Sequence, residues 1–84
     1  MRLDKYLKVS RLIKRRTVAA EACAAGRVEL NGKVAKAGTP VCTGDKISIR
    51  FGEKTTKIEV LIVKEVVRKE EASLMYKITE APIQ

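Results

Sequence analysis

The sequence predicts an α+β fold in which two N-terminal helices pack on a small, mostly antiparallel sheet. Apolar residues recur at helical spacing as far as Gly26, and beyond it they alternate with polar residues, as in strands with one buried face. Asn31-Gly32 then predicts a two-residue hairpin turn, because both residues tolerate a positive φ. We expect residues 1–84 to form one domain, since two separate cores in 84 residues would each be too small to be stable.

The first helix is predicted from Arg2 to about Val9, and its apolar stripe consists of Leu3, Tyr6 and Leu7. Lys5 and Lys8 are expected on the opposite side, where Asp4 can pair with Lys8 four residues later. Ser10 marks a turn. A second, alanine-rich helix is predicted to begin near Lys14 and to end at Gly26, since glycine is preferred just past a helix end.

The strands are predicted from alternation between apolar and polar residues. The segments are Arg27–Leu30, Lys33–Ala35, Lys46–Phe51 and Lys54–Val63. In the last of them Ile58, Val60 and Ile62 are expected to share one face. A short helix around Lys69–Leu74 and a strand near Tyr76–Thr79 complete the prediction.

Composition argues against several classes of protein. The chain has no histidine, and Cys23 and Cys42 do not have the paired spacing of a zinc site or a disulfide framework, so we expect neither a metal nor another cofactor. Cys23 fits a small buried residue in the alanine-rich helix. No apolar run approaches the length of a membrane span, and the N-terminus lacks the apolar stretch of a signal peptide, so a cytoplasmic protein is expected.

The positive charge is concentrated at the N-terminus. The formal net charge is +8, and residues 1–16 contain seven Lys or Arg against one acid, Asp4. Residues 17–50 contribute +2, and residues 51–84 contain equal numbers of basic and acidic groups. This asymmetry indicates a polyanionic partner.

Three cations stand at the predicted start of the second helix: Lys14, Arg15 and Arg16. Cations are unfavourable there because the helix dipole places partial positive charge at that end. A phosphate bound at the helix N-terminus would reverse the effect, whereas a solvated basic turn is the alternative interpretation. The further basic residues in the first helix favour phosphate binding.

Four motifs, in this order and spacing, resemble the S-four RNA-binding domain. They are Arg2-Leu-Asp-Lys-Tyr-Leu7, Arg15-Arg16 before an alanine-rich helix that ends at Gly26, Val28-Glu-Leu-Asn-Gly-Lys-Val34, and Gly44-Asp-Lys-Ile47. The resemblance implies an S-four-like fold with its core motif at about residues 2–50 and a C-terminal sheet extension at 51–84. Family domains often have Ser or Thr where Lys14 stands.

Over nearly the whole chain, the sequence is similar to the small bacterial S-four proteins of ribosome-associated quality control. The similarity extends to Arg50-Phe-Gly52 and Glu70-Glu-Ala-Ser-Leu-Met-Tyr76. It implies binding to obstructed large ribosomal subunits, through ribosomal RNA and peptidyl-tRNA. It also implies action with RqcH, the tRNA-recruiting partner, while alanine is added to the stalled nascent chain. A monomer without membrane association is expected.

By this resemblance, the RNA-binding residues are Arg2, Asp4 and Arg16, with Lys5, Lys8, Arg11, Lys14 and Arg15 as further phosphate contacts. Arginine presents a forked donor geometry that lysine cannot reproduce. Asp4 would orient Arg16 or accept a hydrogen bond from RNA, or it is simply a favourable acid in a first helical turn. Tyr6 is expected in the core, since Leu3 and Leu7 share its stripe. Lys33 and Lys36 either flank this face or are solvated hairpin lysines.

Three alternatives are open. One is a heat-shock-type or ribosome-assembly S-four protein that binds large-subunit RNA without a role in alanine tailing. Another is an RNA-modifying enzyme, which the absence of histidine and of a recognisable pair of catalytic acids disfavours, so a non-enzyme is expected. The last is a duplex-DNA binder, which lacks support because the second helix is too rich in alanine to read base edges well.

Overall fold

The computed structural model describes residues 1–80, and it confirms the predicted α+β fold. Two α-helices, α1 (Leu3–Val9) and α2 (Arg16–Ala24), precede a five-stranded antiparallel sheet of order β2-β1-β3-β4-β5. The strands are β1 (Val28–Leu30), β2 (Lys33–Val34), β3 (Lys46–Phe51), β4 (Lys54–Val60) and β5 (Tyr76–Glu80). A 3₁₀ helix at Lys69–Leu74 leads into β5, as predicted. Within residues 1–80 no helix is long and apolar enough to cross a membrane.

Helix α1 lies on the core with its predicted apolar stripe, because Leu3, Tyr6 and Leu7 are completely buried. The first N–H groups of a helix have no partner within the helix. Here the N–H of Leu3 donates to the carbonyl of Thr39 at 2.8 Å, and that of Asp4 to the carbonyl of Ala37 at 3.1 Å. These bonds hold the loop at residues 36–41 against the beginning of α1.

Helix α2 begins at Arg16, two residues later than predicted, with Arg15 in extended conformation before it. Residues 10–14 are needed to reverse the chain, and the buried Ile13 donates its N–H to the carbonyl of Leu7, which ties this segment to α1. The predicted end is confirmed. Gly26 has a φ of +74°, and it and Arg27 donate back into the last turn, the pattern of a Schellman motif.

The hairpin between β1 and β2 turns at Asn31 and Gly32, as predicted, with φ values of 52° and 85°. The core face of the sheet carries alternate residues of three neighbouring strands: Val28, Ile47, Ile49, Ile58 and Val60. The core between the helices and the sheet includes Cys23, which is buried, as its alanine-rich surroundings predicted.

Strand β4 ends at Val60, so the prediction that it continues to Val63 with Ile62 on the core face is wrong. Ile62 is exposed. The N–H groups of Leu61 and Ile62 both donate to the carbonyl of Met75, which draws the chain out of strand geometry toward the end of the 3₁₀ helix. Local alternation could not reveal this competing acceptor.

Candidate nucleic-acid interface

Asp4 is the centre of the basic N-terminal surface. Its side chain is only 6% exposed, and its two oxygens contact different arginines. Oδ1 lies 3.3 Å from Nε of Arg2 and accepts the N–H of Lys5 at 2.8 Å, while Oδ2 accepts a hydrogen bond from Nε of Arg16 at 3.3 Å. A buried carboxylate thus joins two arginines that are fourteen positions apart in the sequence.

The predicted pair between Asp4 and Lys8 is wrong. The Asp4 carboxylate is turned toward Arg2 and Arg16, whereas the side chain of Lys8 is exposed at the last turn of α1. Two guanidinium groups and a backbone N–H compensate the buried charge better than one solvated ammonium would.

Opposing effects act on the pKa of Asp4. Burial alone would raise this pKa, but the hydrogen bonds from Arg16 and from the backbone of Lys5, with the charges of Arg16 and Arg2, lower it below the ordinary value of 3.8. Asp4 is therefore anionic at neutral pH and keeps both arginines in place.

The two arginines face an open cleft of about 430 Å³, here called the Asp4 cleft. Its lining consists of Met1, Arg2, Lys5, Arg16, Gly38, Pro40 and Glu65. The side chains of Arg2 and Arg16 are 57% and 48% exposed. Because both contact Asp4 through Nε, their terminal Nη groups can donate to another acceptor, and a phosphate suits that forked geometry.

Gly38 and Glu65 also line the Asp4 cleft, and neither was among the predicted site residues. The guanidinium of Arg2 lies over Gly38, whose added Cβ would stand 3.8 Å from it, an ordinary van der Waals contact. Glu65 contacts Nζ of Lys5 with its carboxylate, and this hydrogen bond and the Lys5 charge lower the pKa of Glu65. No local pattern signals either contact, because both join distant segments of the chain.

Three of the other predicted residues lie elsewhere. Lys8, Arg11 and Lys14 line a second hollow of about 440 Å³ together with Lys69, which was not among the predicted RNA-binding residues. We call it the Arg11 recess. The cations at positions 2, 5, 8, 11 and 14 recur every third residue, but this spacing drifts around a helix of about 3.6 residues per turn, so it does not indicate which of them share a hollow.

The remaining basic residues lie outside both hollows. Arg15 is exposed immediately before α2, and Arg16 is the first residue of that helix. Of the three cations expected inside the start of α2, only Arg16 is helical; Lys14 lies in the preceding bend. Lys33 and Lys36 are exposed and line neither the Asp4 cleft nor the Arg11 recess.

Tyr6 is a core residue, as predicted, and its hydroxyl donates to the carbonyl of Met75 at 2.8 Å. Burial, with the neighbouring Tyr76, raises the pKa of Tyr6. Its ring is therefore not available to stack on a base. The interface presents cations rather than aromatic platforms, which suits recognition of the nucleic-acid backbone.

Comparison with known proteins gives consistent matches. The S4 domain model matches residues 1–47. The chain is 62% identical to the RQC P-site tRNA stabilizing factor of Halalkalibacterium halodurans, over 99% of this chain and 96% of that protein. It is 53% identical to the Bacillus subtilis protein of the same name, over 93% and 91% of the two chains. Among solved structures, the trimeric Heat Shock Protein 15 of Vibrio cholerae superimposes with a TM-score of 0.87 at 32% identity, covering 94% of this chain and 81% of the other.

Proposed function

The chain belongs to the S-four domain family and, within it, to the RQC P-site tRNA stabilizing factors, and from this we propose that it binds ribosomal RNA and peptidyl-tRNA on obstructed large ribosomal subunits. It acts there as a non-enzymatic, cytoplasmic RNA-binding factor. Its bound state supports RqcH-dependent addition of alanine to the C-terminus of the stalled nascent chain.

The observation that carries the proposal is the pairing of Arg2 and Arg16 on Asp4. An unconstrained arginine loses rotamer freedom when it binds, whereas these two are already held by a buried carboxylate. Their forked donors can therefore contact backbone phosphates at a lower entropic cost. We expected Asp4 to orient Arg16, and the hydrogen bond from Nε of Arg16 to Oδ2 of Asp4 supports that role.

Structured RNA fits this surface better than duplex DNA does. The cations lie along α1 and the turn after it, and the exposed residues at the start of α2 are Arg16, Thr17 and Val18. Sequence readout in the major groove requires side chains that reach base edges, and this stretch offers few such groups. Recognition of shape and phosphate is typical of proteins that bind folded RNA.

The test uses bacteria that express the tagged chain or its Arg16→Ala variant. Their lysates are sedimented, and the fraction of the tagged protein that co-migrates with large ribosomal subunits is measured. Arg16→Ala should weaken binding to large subunits about tenfold, because a charge-assisted phosphate contact is lost. Lys54→Ala removes the same charge from an exposed site at the beginning of β4 and should co-migrate as the native chain does. Unchanged co-migration of Arg16→Ala would contradict the proposal.

The alternative function is that of a heat-shock-type protein, which binds large-subunit RNA without a role in alanine tailing. The likeness to the Vibrio cholerae protein favours this alternative, and a measurement of alanine tailing distinguishes it from the main proposal. Cells that contain RqcH but carry Arg16→Ala should accumulate stalled chains with shorter alanine tails. Tails of normal length in cells that lack the chain altogether would favour large-subunit binding without a role in tailing.

A further inference from the structure

The Asp4 cleft contains an anion that belongs to the protein itself. Glu65 is one of its lining residues, and the Glu65 carboxylate contacts Nζ of Lys5. The other charged side chains in the lining are cations: Arg2, Lys5 and Arg16. A carboxylate and a phosphate make the same kind of charge-assisted hydrogen bond to an ammonium group. Glu65 therefore binds one of the three cations as a phosphate of RNA would bind it.

The two acids at the cleft are held in different ways. The Asp4 side chain is only 6% exposed and contacts both arginines through Nε, so it orients them and leaves their outer donors free. The Glu65 side chain is 65% exposed and contacts the ammonium group of Lys5. Lysine carries its charge at that single point, so the contact neutralises it. Asp4 organises cations of the cleft, whereas Glu65 occupies one.

Glu65 lies in the irregular segment between β4 and the 3₁₀ helix. On either side of it Val63 and Val67 pack partly against the core, while the side chains from 64 to 66 are exposed. Within residues 1–80, no backbone N–H from 63 to 67 donates to a backbone carbonyl. Glu65 can therefore leave Lys5 without breaking a backbone hydrogen bond or uncovering the core.

The contact between Glu65 and Lys5 is one that a ligand can replace. Ion pairs between exposed side chains are weak, so a phosphate that brings further contacts with it can displace the carboxylate. The hydrogen bond from Lys5, together with the charges of Lys5 and Arg16, lowers the pKa of Glu65. Glu65 is thus anionic at neutral pH and competes as a charged group.

We propose that Glu65 is an internal competitor, which RNA must displace from Lys5 before a phosphate binds there. This proposal rests on the proposed function and concerns the regulation of the same site. The displacement lowers the affinity for every RNA that uses Lys5 by the same factor. RNA held by few contacts is then released, whereas a ligand with many contacts stays bound in spite of the loss.

The test measures binding of the purified full chain to a short duplex RNA of unrelated sequence and to purified large ribosomal subunits. Glu65→Gln should raise the affinity for the duplex RNA about threefold, in the range of a weak exposed ion pair. Because Glu65 is exposed, the Tm of this variant should stay close to that of the native chain.

Glu53→Gln is the matched control, since it makes the same change of net charge in the β3–β4 turn, outside the Asp4 cleft. Its affinity for the duplex RNA should rise by less than about 1.5-fold at about 0.15 M KCl, where charges more than about 8 Å apart are largely screened. If Glu65→Gln binds the duplex RNA no more tightly than Glu53→Gln does, Glu65 is not a competitor.

A double-mutant cycle with Lys5→Gln shows whether Glu65 acts through Lys5. Without Lys5 the carboxylate is no longer held in the cleft, so adding Glu65→Gln should then raise the affinity by less than about 1.5-fold. A gain of equal size in both backgrounds would show that Glu65 only repels RNA by its charge, and it would overturn the proposal.

Arg16→Ala, measured in parallel on large subunits, decides the proposed function separately. If Arg16→Ala binds large subunits as the native chain does, the proposed function fails, and the duplex RNA still decides whether Glu65 competes. If Arg16→Ala weakens that binding while Glu65→Gln and Glu53→Gln bind the duplex RNA equally, the competitor is wrong and the proposed function stands.

Discussion

At the scale of single residues, the site depends on one buried acid and the cations it organises. That Asp4 contacts Arg16 could be expected from the S-four resemblance, but its contact with Arg2 and the position of Lys8 could not. The reason is physical: helical spacing predicts neighbours on the surface of one helix, whereas Asp4 is turned off that surface toward α2. Spacing alone does not say which way a side chain turns.

Replacing Asp4 by Asn should lower the free energy of unfolding by about 1.5–3 kcal/mol at pH 7, the range for hydrogen bonds to charged groups. Because the folded pKa of Asp4 lies below its ordinary value of 3.8, its contribution is present above that pH and is lost as the pH falls through the folded pKa. Urea unfolding at pH 7 and below pH 3.8 measures the difference.

The native chain and Asp4→Asn should therefore converge in stability on acidification. Glu53→Gln is the matched control, since Glu53 is an exposed acid in the β3–β4 turn, and its effect should stay within about 0.5 kcal/mol. A difference between Asp4→Asn and the native chain that is constant with pH would contradict a role for the Asp4 charge.

At the scale of elements, the ends of helices and strands were predicted well where the backbone needs a positive φ, because few residue types tolerate it. Gly26 and Asn31-Gly32 need positive φ, and the sequence supplies residues that tolerate it, so the end of α2 and the first hairpin were foreseen. The start of α2 and the end of β4 were misplaced by two or more residues. Those boundaries are set by bonds to Leu7 and Met75, which are made only after the chain has folded.

Replacing Gly26 by Ala should cost about 1–2 kcal/mol, because an alanine at φ +74° has the strain of the left-handed conformation. Thermal unfolding measures it. Gly38→Ala is the matched control: no positive φ constrains Gly38, and its added Cβ meets Arg2 only at ordinary contact distance, so the Tm should change little. Equal losses at both positions would show that the cost does not come from the backbone conformation.

At the scale of the whole molecule, the neutral C-terminal part supports the basic N-terminal helix. Tyr6 of α1 is joined to Met75, sixty-nine positions later, by a buried hydrogen bond, and Lys5 of the same helix contacts Glu65. The sequence predicted that Tyr6 is buried, because Leu3 and Leu7 share its stripe. It could not predict the acceptor, since no periodic pattern joins segments so far apart.

Tyr6→Phe should lower the free energy of unfolding by about 1 kcal/mol, the usual worth of a buried neutral hydrogen bond. Binding to large subunits should be little changed at temperatures where the variant is folded, since Tyr6 has no exposed surface. Denaturant titration and the sedimentation assay give the two measurements. Tyr76→Phe serves as the control for loss of a hydroxyl. Undiminished stability of Tyr6→Phe would mean that this hydrogen bond adds nothing to the contact between α1 and the C-terminal part.

The carbonyl of Met75 accepts from three donors: the hydroxyl of Tyr6 and the N–H groups of Leu61 and Ile62. Every amino acid carries a backbone carbonyl, so a change of side chain at position 75 keeps the acceptor and alters only the packing around it. Position 6 has no such freedom, because few side chains combine a large apolar body with a hydroxyl at its tip. Position 75 should therefore accept other apolar side chains more readily than position 6 accepts a replacement for tyrosine.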